Sequence, residues 1–243
     1  DDGQTYISRF VNAYENEVIT IFDTETTGLD VFNDDILQIA AVQLKNGAVV
    51  PGSAMSIYLE SDKEIPEMLG DIVNPIIEER RHHQLISRQE ALQRFVDYAQ
   101  GTVLLGHNAD FDIHILTNNL LRELPECPLP ENLNNYLDSL LLIRLLRPGL
   151  RQYKLKYLLE VLHLEGENSH LADADVNATR SLTAFCYNHA REMVAEQQSF
   201  ITHKRVQERV VTLRNNYLSH FHHTADSLWT NHNNKDLLVE EMR

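Results

Sequence analysis

Apolar residues in the first part of the chain fall into short runs of strand length; later ones recur every three or four positions, as in helices. Val18 to Phe22 is a compact β-branched and aromatic run that predicts a buried strand. Ile36 to Leu44 predicts a second, and Asn46-Gly47 directly after it is a strong tight-hairpin signal. Met55 to Leu59 alternates and predicts a third strand, so the chain should open with an antiparallel meander.

Helical signals follow. Ser87 and Glu90 form a capping box ahead of Ala91, Leu92, Phe95, Val96 and Tyr98, and Gly101 closes that helix. Thr102 to Leu105 predicts another buried strand, and a helix should run from about Phe111 to Glu123. Pro125, Pro128 and Pro130 enforce a loop. Leu137 to Leu146 and Leu155 to Leu162 predict two helices separated by Pro148-Gly149. Leu171 to about Glu196 predicts one long helix. Val206, Val210, Leu213, Tyr217 and Phe221 continue at helical spacing as an amphipathic arm. The expected fold class is α/β: a mixed β-sheet, an antiparallel meander followed by parallel strands, flanked by helices and ending in a C-terminal helical extension.

Composition narrows the class. With 43% apolar and 23% charged residues in 243, the chain reads as globular, and no run approaches the roughly 20 apolar residues of a membrane span. Its two cysteines, Cys127 and Cys186, exclude a disulfide framework and a cysteine-based zinc site. They fit a reducing compartment, and no signal peptide is visible, so a cytoplasmic location is expected. The start at Asp1 rather than Met is read as a domain cut from a longer polypeptide. The net charge of −15 argues against an extensively basic nucleic-acid binder, although acids that hold metal ions are neutralised by them.

Three segments carry candidate chemistry. In Phe22-Asp23-Thr24-Glu25-Thr26-Thr27-Gly28, strand positions i and i+2 put Asp23 and Glu25 on one face. Two adjacent carboxylates repel unless a cation lies between them, and hard Mg²⁺ or Mn²⁺ suits such a pair. In Gly106-His107-Asn108-Ala109-Asp110-Phe111-Asp112, Asp112 falls in a helix's first turn, where the dipole favours an acid, with Asp110 as a competitor. In His170-Leu171-Ala172-Asp173-Ala174-Asp175, the two aspartates point to opposite sides of a helix, so they cannot share one ion. His170, just outside that helix, could take a proton from water near neutral pH. Taken singly, these segments also read as solvated strand-end acids, a helix-start acid and a surface histidine.

Together, in this order, they resemble the DEDDh branch of the DnaQ-like proofreading exonuclease family, which has an RNase H-like fold. The resemblance runs from Asp23 to Arg180 and includes Ile36 to Val42, with Gln38 where Glu is frequent, and Tyr136 to Leu140. It implies a metal-dependent 3′→5′ exonuclease. Asp23, Glu25 and Asp175 would hold a first divalent ion, Mg²⁺ or Mn²⁺. Asp23 and Asp112 would serve a second, with His170 as general base. Thr26, Thr27, Gly28, Phe111 and Asn108 would contact the terminal nucleotide. The family's His-Gly-Ile stretch is not evident, and its region is occupied by Asp71 to Ile77 or Arg80 to Ile86.

Arg147, Arg151, Lys154 and Lys156 around Tyr153 form a basic cluster suited to a single strand, with Lys154 the expected substrate contact. Arg80, Arg81, His82 and His83 are a second cluster, and Lys204, Arg205 and Arg209 a third. The expected partner is nucleic acid with a free 3′ end, DNA before RNA, in a repair or replication role. The alternatives are an exoribonuclease of the oligoribonuclease or RNase T kind and a non-catalytic binding or scaffolding module. The expected organisation is an exonuclease domain over residues 1–192 and a helical extension over 193–243. That extension would dock on the core, a second copy or a further domain.

Overall fold

The Val18–Phe22 run lies at the centre of a sheet, buried on both faces. In the computed structural model, which describes residues 3–195, the strands are β1 (Val18–Thr26), β2 (Ile36–Lys45), β3 (Ala48–Val49), β4 (Met55–Leu59), β5 (Met68–Leu69), β6 (Ile72–Val73), β7 (Leu85–Ile86), β8 (Val103–Gly106) and β9 (Leu137–Asp138). The helices are α1 (Gly3–Asn16), α2 (Pro75–His82), α3 (Arg88–Ala99), α4 (Ala109–Glu123), α5 (Ser139–Leu146), α6 (Leu155–Val161) and α7 (Ala172–Ala195). The main sheet has the order β7-β4-β2-β1-β8-β9, with β3 on β2 and β5-β6 as a separate hairpin. β2 is antiparallel to β1 and β4, whereas β8 runs parallel to β1 and β9 parallel to β8. This is the expected meander followed by parallel strands.

Period-two alternation on β1 divides the core. Ile19 and Ile21 face a layer built from α1, α5, α6 and α7, while Phe22 faces α3 and α4 on the other side. The hairpin forms at the expected dipeptide: Asn46 and Gly47 adopt φ of 49° and 77°, and Leu44 and Lys45 pair with Val49 and Ala48. Gly47 has a second reason to be glycine, since a Cβ there would lie 2.8 Å from the Tyr14 ring. The capping box is realised as one bond, Glu90 N–H donating to Ser87 Oγ at 3.2 Å.

Several elements depart from the sequence reading. No element was expected before Val18, yet α1 inserts Tyr6 and Phe10, both fully buried, into the core. Leu137 and Asp138, expected to be helical, form β9; Asp138 then caps α5 by accepting Leu140 N–H at 2.9 Å. Arg80 turns inward, its guanidinium donating to Leu59 O at 2.6 Å. Arg81 and His82 pair with Glu78, and His83 stacks on Tyr58 with ring centroids 4.3 Å apart. Charge in that cluster is therefore met locally.

α7 runs as one helix past position 192. The stripe from Val206 to Phe221 and the basic residues Lys204, Arg205 and Arg209 lie outside the described residues. Among the described residues no helix is long and apolar enough to cross a membrane.

Burial of a whole aromatic ring from α1 makes this helix part of the core. Phe10→Ala should therefore lower unfolding free energy by about 3–5 kcal/mol in a denaturant titration. A loss below about 1 kcal/mol would mean that α1 is an appendage.

Candidate active site

β1, α4 and α7 each deliver acids to one place, the carboxyl end of the central strand. Asp23 and Glu25 share the β1 face that carries Ile19 and Ile21, the face covered by α7. Asp175 is the fourth residue of α7. Asp23, Glu25 and Asp175 each offer a carboxylate oxygen within 4.8 Å of the others. Asp112, the fourth residue of α4, is 4% exposed, and its Oδ1 accepts Thr24 N–H at 3.2 Å and the Thr24 hydroxyl at 2.5 Å. The choices open in the sequence are thus separated by geometry. Asp110 turns away and takes the Tyr136 hydroxyl, and Asp173 is exposed outside the cluster.

Electrostatics follow from this crowding. Burial pushes the Asp23 carboxyl well above its ordinary range, and repulsion from Asp112, Asp175 and Glu25 adds to it. Glu25 is raised in the same direction by burial and then by Asp175, Asp112 and Asp173. Asp112 is pushed up to about 7 by burial against the lowering effect of its Thr24 bonds. Asp175 is also pushed up to about 7, by burial and then by Asp112 and Asp173. Oxygen donors alone, gathered without any thiolate and each raised in pKa, suit a hard divalent cation, whose charge would replace protons as the neutralising partner.

A cleft of about 540 Å³ opens beside the acids. Asp23, Asp175 and His170 line it, as do Leu69, Gly70, Asp71 and Ile72 of the β5-β6 hairpin. The hairpin fills the region where the family's His-Gly-Ile stretch was missing. Arg144, Tyr153, Lys154 and Lys156 supply a basic wall. Tyr153 is pinned there: its hydroxyl donates to Arg147 O at 2.7 Å, and the Arg144 guanidinium lies 5.2 Å from its ring centre. A larger groove of about 910 Å³ lies between α3, α4 and the proline-rich loop, but it contains none of the acids.

His170 sits two residues before α7 in a left-handed conformation, φ 59°, and faces the same cleft. The other expected contacts lie off this cleft. The Thr27 hydroxyl is buried; it donates to Asp34 Oδ1 and accepts Asp35 N–H, both at 2.9 Å. The Thr26 hydroxyl donates to Gly28 O at 2.7 Å. Both side-chain donors are therefore engaged inside their own loop. Gly28 is packed against Asp34, whose Oδ2 would lie 2.4 Å from an added Cβ. Asn108 is buried at φ 61° ahead of α4, and Phe111 packs on the core between the sheet and α3.

Sequence reasoning missed the residues that hold these positions. Asp138, fully enclosed, accepts Asn108 N–H at 2.9 Å and Ala109 N–H at 3.2 Å, fixing the start of α4. His107 bonds Ser139 Oγ at 2.8 Å and Tyr153 O at 3.0 Å, and burial pushes its pKa down to about 4, so it stays neutral. The Asn168 side-chain amide lies against the cluster, 2.7 Å from an Asp175 carboxylate oxygen. Their partners lie 29 or more residues away in the first two cases, which no local pattern reveals.

With the fold and site in view, comparison with known proteins places the chain. A family model described as "Exonuclease" matches residues 20–183. The chain belongs to this DnaQ-like exonuclease family. Among curated relatives, a DNA polymerase III of PolC type from Clostridium perfringens is 29% identical over 181 residues. That match covers 74% of this chain but only 12% of the relative, so the chain corresponds to a small part of that protein. E. coli Exonuclease I in complex with a dT13 oligonucleotide has the same fold, with a TM-score of 0.59 at 21% identity over 74% of this chain and 43% of the other. A zinc-ion-bound form of the E. coli Exonuclease I complex with single-stranded DNA matches at 0.59 and 20% identity, over 74% and 42% of the two chains.

The raised carboxyls give a stability test. An acid whose pKa is raised on folding contributes stability that is complete below the ordinary carboxylate range, about 4, and is lost as pH rises through about 7 for Asp112 and Asp175. In EDTA, Asp112→Asn should become more heat-stable relative to the parent as pH rises from about 4 to above about 7. Adding a divalent cation should then stabilise the parent more than the variant. A melting difference independent of pH and cation would contradict the repulsion described here.

Proposed function

We propose that this domain is a metal-dependent 3′→5′ exonuclease acting on DNA, with single-stranded ends preferred. The observation that carries this reading is the convergence of Asp23, Glu25 and Asp175 oxygens within 4.8 Å, with Asp112 anchored beside them through Thr24. Asp23, Glu25 and Asp175 would hold one divalent cation, and Asp23 with Asp112 a second, Mg²⁺ or Mn²⁺ in both cases. Bound there, such ions activate water and stabilise charge on the attacking and leaving oxygens of a phosphodiester.

The protein's own groups do the rest. His170 faces the cleft from outside α7, where its imidazole takes the proton released as the water oxygen bonds to phosphorus. The bond from phosphorus to the 3′ oxygen of the preceding nucleotide breaks, leaving a 3′-hydroxyl on the strand and a released 5′-mononucleotide. Lys154, Lys156 and Arg144 offer positive charge to the backbone along the cleft. Thr26, Thr27 and Gly28 would meet the terminal nucleotide through the surface of their loop, since both hydroxyls and the Thr27 N–H, which donates to Asp35 O at 2.9 Å, are bonded within it, with Asn108 and Phe111 beyond them. DNA is favoured because a relative is a DNA polymerase and a protein of the same fold was solved with an oligodeoxynucleotide. We place the catalytic unit within residues 1–192 and a separate arm after it, in a protein of replication or repair.

Digestion of 3′-labelled and 5′-labelled DNA and RNA oligomers tests the reading. Mononucleotide release from the 3′ end should require Mg²⁺ or Mn²⁺ and stop in excess EDTA; persistent activity in EDTA would defeat the metal mechanism. A preference for RNA would transfer the substrate assignment to an exoribonuclease.

His170→Ala should lower turnover by roughly 10², the usual scale for a lost general base, with little change in substrate binding. Asp175→Ala should abolish turnover while Asp173→Ala retains most of it. The reverse order would reassign the ligand.

A further inference from the structure

Gln38 on β2 lies directly across the ladder from Glu25 on β1 and is 0% exposed. Opposed residues of an antiparallel pair share a face, with Cβ atoms about 4.5–5.5 Å apart. Gln38 is therefore the cross-strand neighbour of one of the clustered acids. Its amide joins two further elements. Oε1 accepts the N–H of Ala172, the first residue of α7, at 3.3 Å. Nε2 donates to Ser56 Oγ and to the Tyr58 hydroxyl on β4, both at 3.1 Å.

The first N–H groups of a helix have no acceptor within the helix, so α7 is docked at its start by a side chain from the sheet. Ala172 stands one turn before Asp175 and two residues after His170. A shift of that first turn would carry both groups with it. The choice of an amide also has a physical reason. It donates and accepts at once, and it adds no negative charge beside Glu25, whose carboxyl is already pushed up by burial and its neighbours.

We propose that Gln38 is a positioning residue that sets the spacing between the strand-borne pair Asp23 and Glu25 and the helix-borne Asp175, and through that spacing the affinity of the site for a divalent cation. The inference rests on the metal-site reading above, and it assigns to a neutral side chain a role that the acids cannot fill for themselves.

The test titrates Mn²⁺ into the full chain without substrate, following free Mn²⁺ by electron paramagnetic resonance. kcat and KM are then measured on a 3′-labelled oligodeoxynucleotide. Gln38→Met keeps the length and removes every hydrogen bond; it should weaken Mn²⁺ binding and lower kcat by about fivefold each, with KM within about twofold. Gln38→Glu keeps an acceptor for Ala172 N–H and should restore Mn²⁺ affinity to the parent level or tighter. Should Gln38→Met not fold, the pair Ser56→Ala with Tyr58→Phe unanchors the amide, and it should weaken Mn²⁺ binding by about twofold or more. Unchanged Mn²⁺ affinity in a folded Gln38→Met, or in the Ser56–Tyr58 pair where that variant does not fold, overturns the proposal, as does equal weakening in Gln38→Met and Gln38→Glu. Absence of any Mn²⁺ binding that Asp23→Ala abolishes would overturn the metal-site reading and this inference together. Binding by the parent with unchanged variants defeats the inference alone.

Discussion

Like-charge repulsion among Asp23, Glu25, Asp112 and Asp175 is the constraint that the surrounding structure must contain. Every one of these carboxyls is pushed up in pKa, and burial is the first cause for each. A loop could not hold such a set, because the chain would relax to move the charges apart. Here the pair on β1 is fixed by the antiparallel ladder to β2, opposite Ala40 and Gln38, while the parallel ladder to β8 holds the same strand as far as Ile21. The other two acids arrive on helices, each at the fourth position, where the positive end of the helix dipole partly offsets a negative side chain. Two helix starts aimed at one strand end therefore soften the repulsion that the cluster creates, and what remains is available to a cation.

Around the acids lies a ring of neutral donors and acceptors. Thr24 binds Asp112 through backbone and hydroxyl together. Asp138 gathers the N–H groups that open α4, Gln38 receives the one that opens α7, and His107 ties the end of β8 to the loop carrying Tyr153. Asp138 is itself pushed up to about 7, by burial and by Asp110, against three backbone donors. Apart from Asp138, these contacts add rigidity without charge, which is what a site needs if its acids must stay close before any ion is bound.

Much of this was legible in the chain. β1, β2 and β4, the hairpin at Asn46-Gly47 and the Ser87 cap of α3 follow from local chemistry, so local reading finds them. The position of Asp175 in the first turn of a helix, with His170 outside it, also follows from spacing. The failures share one cause, which is that the deciding partner is distant. Leu137 and Asp138 lead directly into the leucine-rich run from Leu140, and only their pairing with β8 makes them a strand. Strands of two residues, such as β7 and β9, leave no periodic trace at all. α1 does carry a stripe, Tyr6, Phe10, Ala13 and Tyr14 at spacings of four, three and one, but it lies in a polar opening segment. That helix precedes the residues matched to the family, yet it completes the same core. Arg80 was assigned to a basic surface because sequence shows charge but not direction; the side chain points to carbonyl oxygens under α2.

The net charge of −15 posed the strongest objection to a nucleic-acid role, and the structure shows how far that sum can mislead. Charge acts locally, since exposed charges are screened over about 8–10 Å at ordinary ionic strength. On α2 the acids are matched by Arg81, His82 and His83 within hydrogen-bond or ion-pair distance. Around the cleft the lining itself is mixed: Asp23, Asp71 and Asp175 share it with Arg144, Lys154 and Lys156. A strongly negative total charge therefore coexists with a cleft that carries three basic side chains beside its acids, and it is this local balance, which a bound cation would shift further, that a charged ligand meets.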